Sequence, residues 1–215
     1  MTPLIEQLST SFLPRFLAGM SVNFEIASIA LAIGFAVGLV LAFGRLAGGV
    51  LGAAAASAIA LMRAAPTFVV MFFLLNAIPR DATLFGEPFA LSGVMIVALS
   101  LVPYSAAYIA DAGVDALRHL RGGTTAGALL ILPNVARAFI VLVMSSSAAA
   151  AIGVTEGITV ILRQAEQLAS LNERLVLFGL GIAMFGIPLQ MGFLLVGLIQ
   201  RRLGRVAEVT DEASA

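Results

Sequence analysis

Long apolar blocks separated by short polar breaks run through the chain, and the blocks reach membrane-spanning length. A helix rising about 1.5 Å per residue needs about 20 apolar residues to cross a hydrocarbon core of about 30 Å. The first clear span covers residues 21–44, with ASIALAIGFAVGLVLAFG at its heart, and stops at Arg45 before Gly48 and Gly49. A Pro-interrupted amphipathic lead-in, SFLPRFLAG, precedes it. A second span over residues 64–79 admits two paths from residue 50: an interfacial helix before a short span, or one long helix kinked at Pro66. The polar stretch RDATLFGEP, residues 80–88, predicts a loop, and a third span follows over 89–112. Residues 113–130, GVDALRHLRGGTTAGALL, predict a central loop outside the hydrocarbon. Spans over 135–152 and 175–200 follow, with polar residues 155–174 between them, and residues 206–215 predict a disordered tail.

The pattern predicts an all-α membrane protein with about five transmembrane helices in one domain covering residues 1–215. An outer-membrane barrel would alternate in short segments, whereas these blocks are continuous and rich in Ala, Leu, Val and Gly. Composition agrees: 60% of the 215 residues are hydrophobic and 11% charged, with mean hydropathy +1.06, where soluble domains carry about 25% charge. That excludes an ordinary soluble domain and a disordered chain. Zero net charge supplies no basic field for nucleic acid. Zero cysteines exclude a disulfide framework, a thiolate zinc site and a cysteine nucleophile. No phosphate-binding Gly-Lys-Ser/Thr loop, Ser-His-Asp set or metal cluster emerges, so the expectation is a non-enzyme without metal or cofactor. The amino terminus lacks a positive n-region and its first apolar block exceeds a signal-peptide core, so the mature chain is expected to begin near Met1.

Arginine placement predicts orientation, because short cytoplasmic loops carry the positive excess. With the amino terminus outside, Arg45, Arg118, Arg121, Arg201, Arg202 and Arg205 fall on the cytoplasmic side and Arg15, Arg80, Arg163 and Arg174 outside. The carboxyl terminus is then cytoplasmic.

Five segments carry a family resemblance. Arg63-Ala-Ala-Pro66-Thr67 and the apolar run to Phe73, followed by Ile78-Pro79, resemble the Arg-Gly-Thr-Pro signature of polar amino-acid ABC transporter permeases. The first span, with Gly34, Gly38 and Arg45, resembles that family's first helix, and Tyr104-Ser-Ala-Ala-Tyr108-Ile-Ala-Asp111 its Tyr-x-Ala-Ala-Tyr-x-Ala-Glu segment. Ile131-Leu132-Pro133 and Ala151-Ile-Gly153-Val-Thr155-Glu156 resemble its Ile-Leu-Pro and Ile-Gly-Val-Pro-Glu elements. Together and in order they cover nearly the whole chain.

The resemblance implies the type I ABC importer permease fold in a bacterial inner membrane. It also implies a dimer of permeases lining a path, a partner ABC ATPase, and an extracytoplasmic binding protein that delivers an amino acid. Two departures stand out. The family's Glu-Ala-Ala coupling loop is matched only by Gly123-Thr-Thr-Ala126-Gly127-Ala128, about a dozen residues short, or roughly 18 Å of helix. After Phe139 a Pro-rich polar stretch is contracted, and Met144-Ser145-Ser146-Ser147 stands where the family has Lys-Asp-Thr-Ser. Two readings follow: the degenerate half of a heterodimeric importer, or a non-transporting structural or regulatory subunit on a permease scaffold.

Candidate path residues are Glu25, Asn76, Ser145, Ser146 and Ser147. Each has a plainer alternative: lipid-interface snorkelling for Glu25, interhelical packing or hydrogen bonding for the others. Arg63, Pro66 and Thr67 form the candidate gate or signature, where Arg63 either bonds carbonyls freed by the proline or stabilises an inner gate. Asp111, Gly123, Ala126, Gly127 and Ala128 are the candidate ATPase-coupling residues. Asp111 shares a helix face with Asp115, and His119 reads as a solvated loop residue.

Overall fold

The computed structural model describes residues 8–77, 83–84, 87–88, 91–123, 128–129 and 131–214, with side chains from 10 to 202 within those segments. After a single π-helical turn, Leu8–Phe12, comes α1, Leu13–Ala47. Then follow α2, Gly49–Ala64; α3, Thr67–Ala77; α4, Gly93–Arg121; α5, Ile131–Ser145; α6, Gly157–Glu166; and α7, Leu171–Ser214. A 3₁₀ segment, Ser146–Ile152, continues α5. A two-residue antiparallel ladder, β1 (Thr83–Leu84) and β2 (Glu87–Pro88), lies between α3 and α4.

Four described stretches are long and apolar enough to cross a membrane: Thr10–Ala47, Gly93–Arg121, Ile131–Ile152 and Leu171–Arg202. The pair α2 and α3 adds a fifth if counted as one broken span. The expected ambiguity after residue 50 resolves here. Ala65 takes extended backbone, as a residue before proline prefers, and α3 departs from α2 at 92°. The chain therefore does not pass Pro66 as one gently kinked helix.

Several boundaries differ from expectation. The third span does not end at residue 112, because α4 continues to Arg121 and takes in the first half of the expected 113–130 loop. Its last turns, VDALRHL, contain good helix formers and keep Val114 and Ala116 buried. The first helix starts at Leu13, across the lead-in, because Pro14 sits in its first turn where its missing N–H costs nothing. Residues 206–214, expected as a disordered tail, continue α7, and VAEVTDEAS contains no glycine or proline to stop it. The polar stretch 155–174 holds the short helix α6. The 80–88 loop lies largely outside the described residues, as do Ile78 and Pro79.

The most extensive helix pair is α1 with α4. Along α1 the buried positions Ala30, Gly34, Gly38 and Ala42 recur every four residues and form one stripe. Opposite them stand Leu101, Ser105, Ala106, Ile109 and Ala110 of α4, all buried. The approach is close: a Cβ on Gly34 would stand 2.3 Å from Ser105 Oγ, and one on Gly38 would stand 2.7 Å from the Ala106 carbonyl oxygen. Small residues permit this backbone proximity, on which helix association in lipid depends. Ile26, Ala27, Ala30, Met71, Val97, Leu101, Leu142 and Ala149 extend the seam into a core shared with α3, α5 and the 3₁₀ segment. A second core joins Phe12, Phe16 and Met20 to Val160, Ile161 and Leu177. By contrast α7 is peripheral, with only 6% of its most apolar stretch buried.

Replacing Gly34 or Gly38 by Leu overpacks the α1–α4 seam and is expected to cost about 1–3 kcal/mol. Gly179→Ala and Gly186→Ala, where an added Cβ meets open space, should stay within about 0.5 kcal/mol of the parent. Thermal unfolding of the purified chain in detergent checks both.

Candidate functional site

Two polar clusters lie at different heights of the bundle. The first starts with the glycine pair after α1: Gly48 and Gly49 both take positive φ (72° and 57°), which turns the chain tightly from α1 into α2. Arg45 ends α1, Arg63 ends α2, and both guanidiniums reach one carboxylate on α4. Arg45 Nη1 donates to Asp111 Oδ1 at 2.9 Å, and Arg63 Nη2 pairs with Asp111 Oδ2. All three side chains are partly exposed, at 41%, 62% and 40%. Exposed pairs of this kind contribute about 0–1 kcal/mol each. The clasp therefore adds little stability, but it joins the ends of α1 and α2 to one carboxylate of α4. Pro66 is exposed and Thr67 half-buried beside it.

The second cluster is fully buried. Glu156, 0% exposed, is the N-cap of α6. Its carboxylate accepts from Ile158 N at 2.9 Å, Thr159 N at 2.8 Å, Thr159 Oγ1 at 3.0 Å and Asn23 Nδ2 at 3.1 Å. Asn23 Nδ2 also donates to Ser146 Oγ at 2.9 Å, while Asn23 Oδ1 accepts from Gly157 N at 3.1 Å. Ser146 Oγ in turn donates to the Val143 carbonyl oxygen at 2.7 Å. The first amides of α6 and the Asn23 amide satisfy this buried side chain, Thr159 Oγ1 sharing its single proton between it and the Val154 carbonyl at 2.8 Å, and among the described residues no cation pairs with it. Gly19 permits the arrangement, since a Cβ there would stand 2.8 Å from the Glu156 carbonyl carbon and from Gly157 N. One asparagine thus ties α1, the 3₁₀ segment and α6 together.

The candidates predicted from sequence scatter over the structure. Ser146 joins the buried network; Ser145 is half-buried, and Ser147 is a half-buried side chain at an apolar cavity of about 500 Å³ with Met144, Ile158 and Phe185. Glu25 lies exposed on α1, and Asn76 is exposed and donates to its own helix at the Phe72 carbonyl, 2.7 Å away. Arg63 and Asp111 meet; Glu25, Asn76 and the serines do not converge on one described site. Asp115 pairs with Arg118 at 3.8 Å one turn along α4. Gly123 takes φ 83° after the end of α4, and Ala128 is buried, while Ala126 and Gly127 lie outside the described residues. Among the described residues no group of three or more His, Cys, Asp or Glu side chains could hold a metal ion.

Asn23 was not among the sequence candidates. Its signal was present, as an amide inside an otherwise apolar block, but its partners lie more than 120 residues away in the chain. Glu156 was visible as a motif residue, and Thr159 three positions on is the spacing of an N-terminal cap. Nothing in the sequence placed that cap inside the protein.

No family model and no curated protein matches the chain. Among solved structures it is similar to a chain of the crystal structure of an amino acid ABC transporter with histidines, with a TM-score of 0.67 and 21% sequence identity. The similarity covers 90% of this chain and 96% of that one. At this identity the likeness establishes the fold alone: an all-α architecture shared along nearly the whole chain.

Glu156→Ala removes the cap and strands donors in the interior, and should cost about 1–3 kcal/mol. Asp111→Asn should cost about 1 kcal/mol or less. Unfolding midpoints rank the two, and faster hydrogen exchange at the Ile158 and Thr159 amides in Glu156→Ala alone identifies the lost cap.

Proposed function

We propose that the chain is the permease subunit of an ABC importer for amino acids, lining the translocation path as one half of a dimer in a bacterial inner membrane. The observation that carries this reading is the end-to-end fold similarity to a chain of an amino acid ABC transporter, and the order of the five sequence segments along the chain supports it. A partner ATPase hydrolyses the nucleotide, an extracytoplasmic binding protein delivers the solute, and the permease itself catalyses no covalent chemistry. The amino terminus lies outside and the carboxyl terminus in the cytoplasm.

On this reading the Arg45–Asp111–Arg63 clasp ties the Pro66 break to α4, so that a push on the cytoplasmic end of α4 is carried into α3. The short connection between α4 and α5, residues 122–130, leaves little room for a separate coupling helix. The last turns of α4 and Gly123 then present the ATPase contact, and a second permease with a full coupling loop completes the complex as a heterodimer. The same short connection favours the alternative of a non-transporting structural or regulatory subunit that keeps the scaffold.

Purification from native membranes in mild detergent, followed by reconstitution into ATP-loaded vesicles, separates the readings. An importer subunit copurifies with an ATPase and a second permease and supports ATP-dependent amino-acid uptake when the binding protein is added. Asp111→Asn should then lower uptake several-fold while leaving assembly intact. Absence of an ATPase from the complex, or uptake undiminished when the chain is omitted, supports the non-transporting subunit.

A further inference from the structure

A pocket of about 370 Å³ opens between the first turns of α1 and helix α6. Arg15, beside it, and Arg45, in the clasp, are thirty residues apart on one helix, or about 45 Å. The pocket's polar lining is Arg15, Thr155, Arg163, Gln164 and Gln167, and among the described residues no carboxylate lines it. Arg15 uses Nε on the Ser11 carbonyl at 2.9 Å, and Arg163 is exposed with no ion-pair partner among the described residues. Gln164 is only 3% exposed, yet its Nε2 has no hydrogen-bond partner among the described residues. A buried donor left unpaired costs about 1–3 kcal/mol, so such an amide marks a place where an acceptor is missing. The nearby acids do not fill that role: Glu156 is saturated by its own donors, and Glu166 lies on the exposed side of α6.

We infer that this pocket is an oxyanion site, which takes a carboxylate or phosphate group at the Arg15 and Arg163 guanidiniums. Guanidinium forks match planar and tetrahedral oxyanions, and the volume falls within the range of about 300–1,000 Å³ typical of small-ligand sites. Such a group has two sources: a free solute, or the headgroup of an anionic lipid.

The test is thermal unfolding of the full-length chain in neutral detergent at constant ionic strength, with inorganic phosphate or acetate replacing chloride. A parallel arm compares nanodiscs of phosphatidylcholine with and without phosphatidylglycerol. Ligand that binds only the folded state raises the midpoint with concentration. The expected result is a rise with oxyanion, and at least a tenfold weaker apparent affinity in Arg163→Gln, whose exposed side chain is dispensable for folding. Stabilisation by phosphate or acetate identifies a solute site; stabilisation by phosphatidylglycerol alone identifies a headgroup site. The inference is overturned if no oxyanion raises the midpoint, or if Arg15→Gln/Arg163→Gln responds as the parent does. Binding is read without transport, so failure here leaves the uptake result untouched.

Discussion

In a bilayer, apolar side chains gain little by leaving lipid for one another, so two helices hold together only where backbones come close or polar groups meet. The stripe of Ala30, Gly34, Gly38 and Ala42 satisfies the first condition against Ser105, Ala106 and Ile109 of α4. Every other element is placed from that pair. The core of α3, α5 and the 3₁₀ segment closes over its middle, and α2 returns to its α4 side through Ile59, Ala107 and Ala110. The outer helix α7 packs on α5 and α6 and leaves most of its apolar surface for lipid or another subunit.

The second condition is met by Asn23. A lone amide at membrane depth would be a liability, and here each of its polar atoms is used: Nδ2 on Ser146 and Glu156, Oδ1 on Gly157. The network fixes the start of α6 relative to α1, and with it the position of Arg163 and Gln164 opposite Arg15. A partly satisfied network would be worse than an apolar one, because each unpaired group keeps its full desolvation cost in low dielectric. Completeness around Glu156 is what makes a buried carboxylate tolerable.

Polar chemistry on this chain therefore divides by depth. The buried amide and carboxylate organise structure. The exposed cations gather near helix ends, where Arg45 and Arg63 share Asp111 and Arg15 and Arg163 border an open pocket. Cations at helix ends sit favourably against the carbonyl terminus of the macrodipole, as Arg45 and Arg63 do, and near headgroups and solvent.

By itself the sequence determined that the chain crosses a membrane as helices, because that follows from the length and continuity of apolar blocks and from the demand that backbone groups be satisfied within each segment. The small residues of the first span and an interruption at Pro66 were legible from local backbone chemistry, though the choice between a kink and a sharp break at that proline was not. The extent of α4 was not legible, since Arg118, His119 and Arg121 look like loop residues until the burial of Val114 and Ala116 is known. Nor was the pairing of Asp111 with two arginines, the burial of Glu156, or the use of Asn23. Those depend on which face of one helix meets which face of another, and that is decided by side-chain volumes summed across distant segments, a quantity that no local pattern contains.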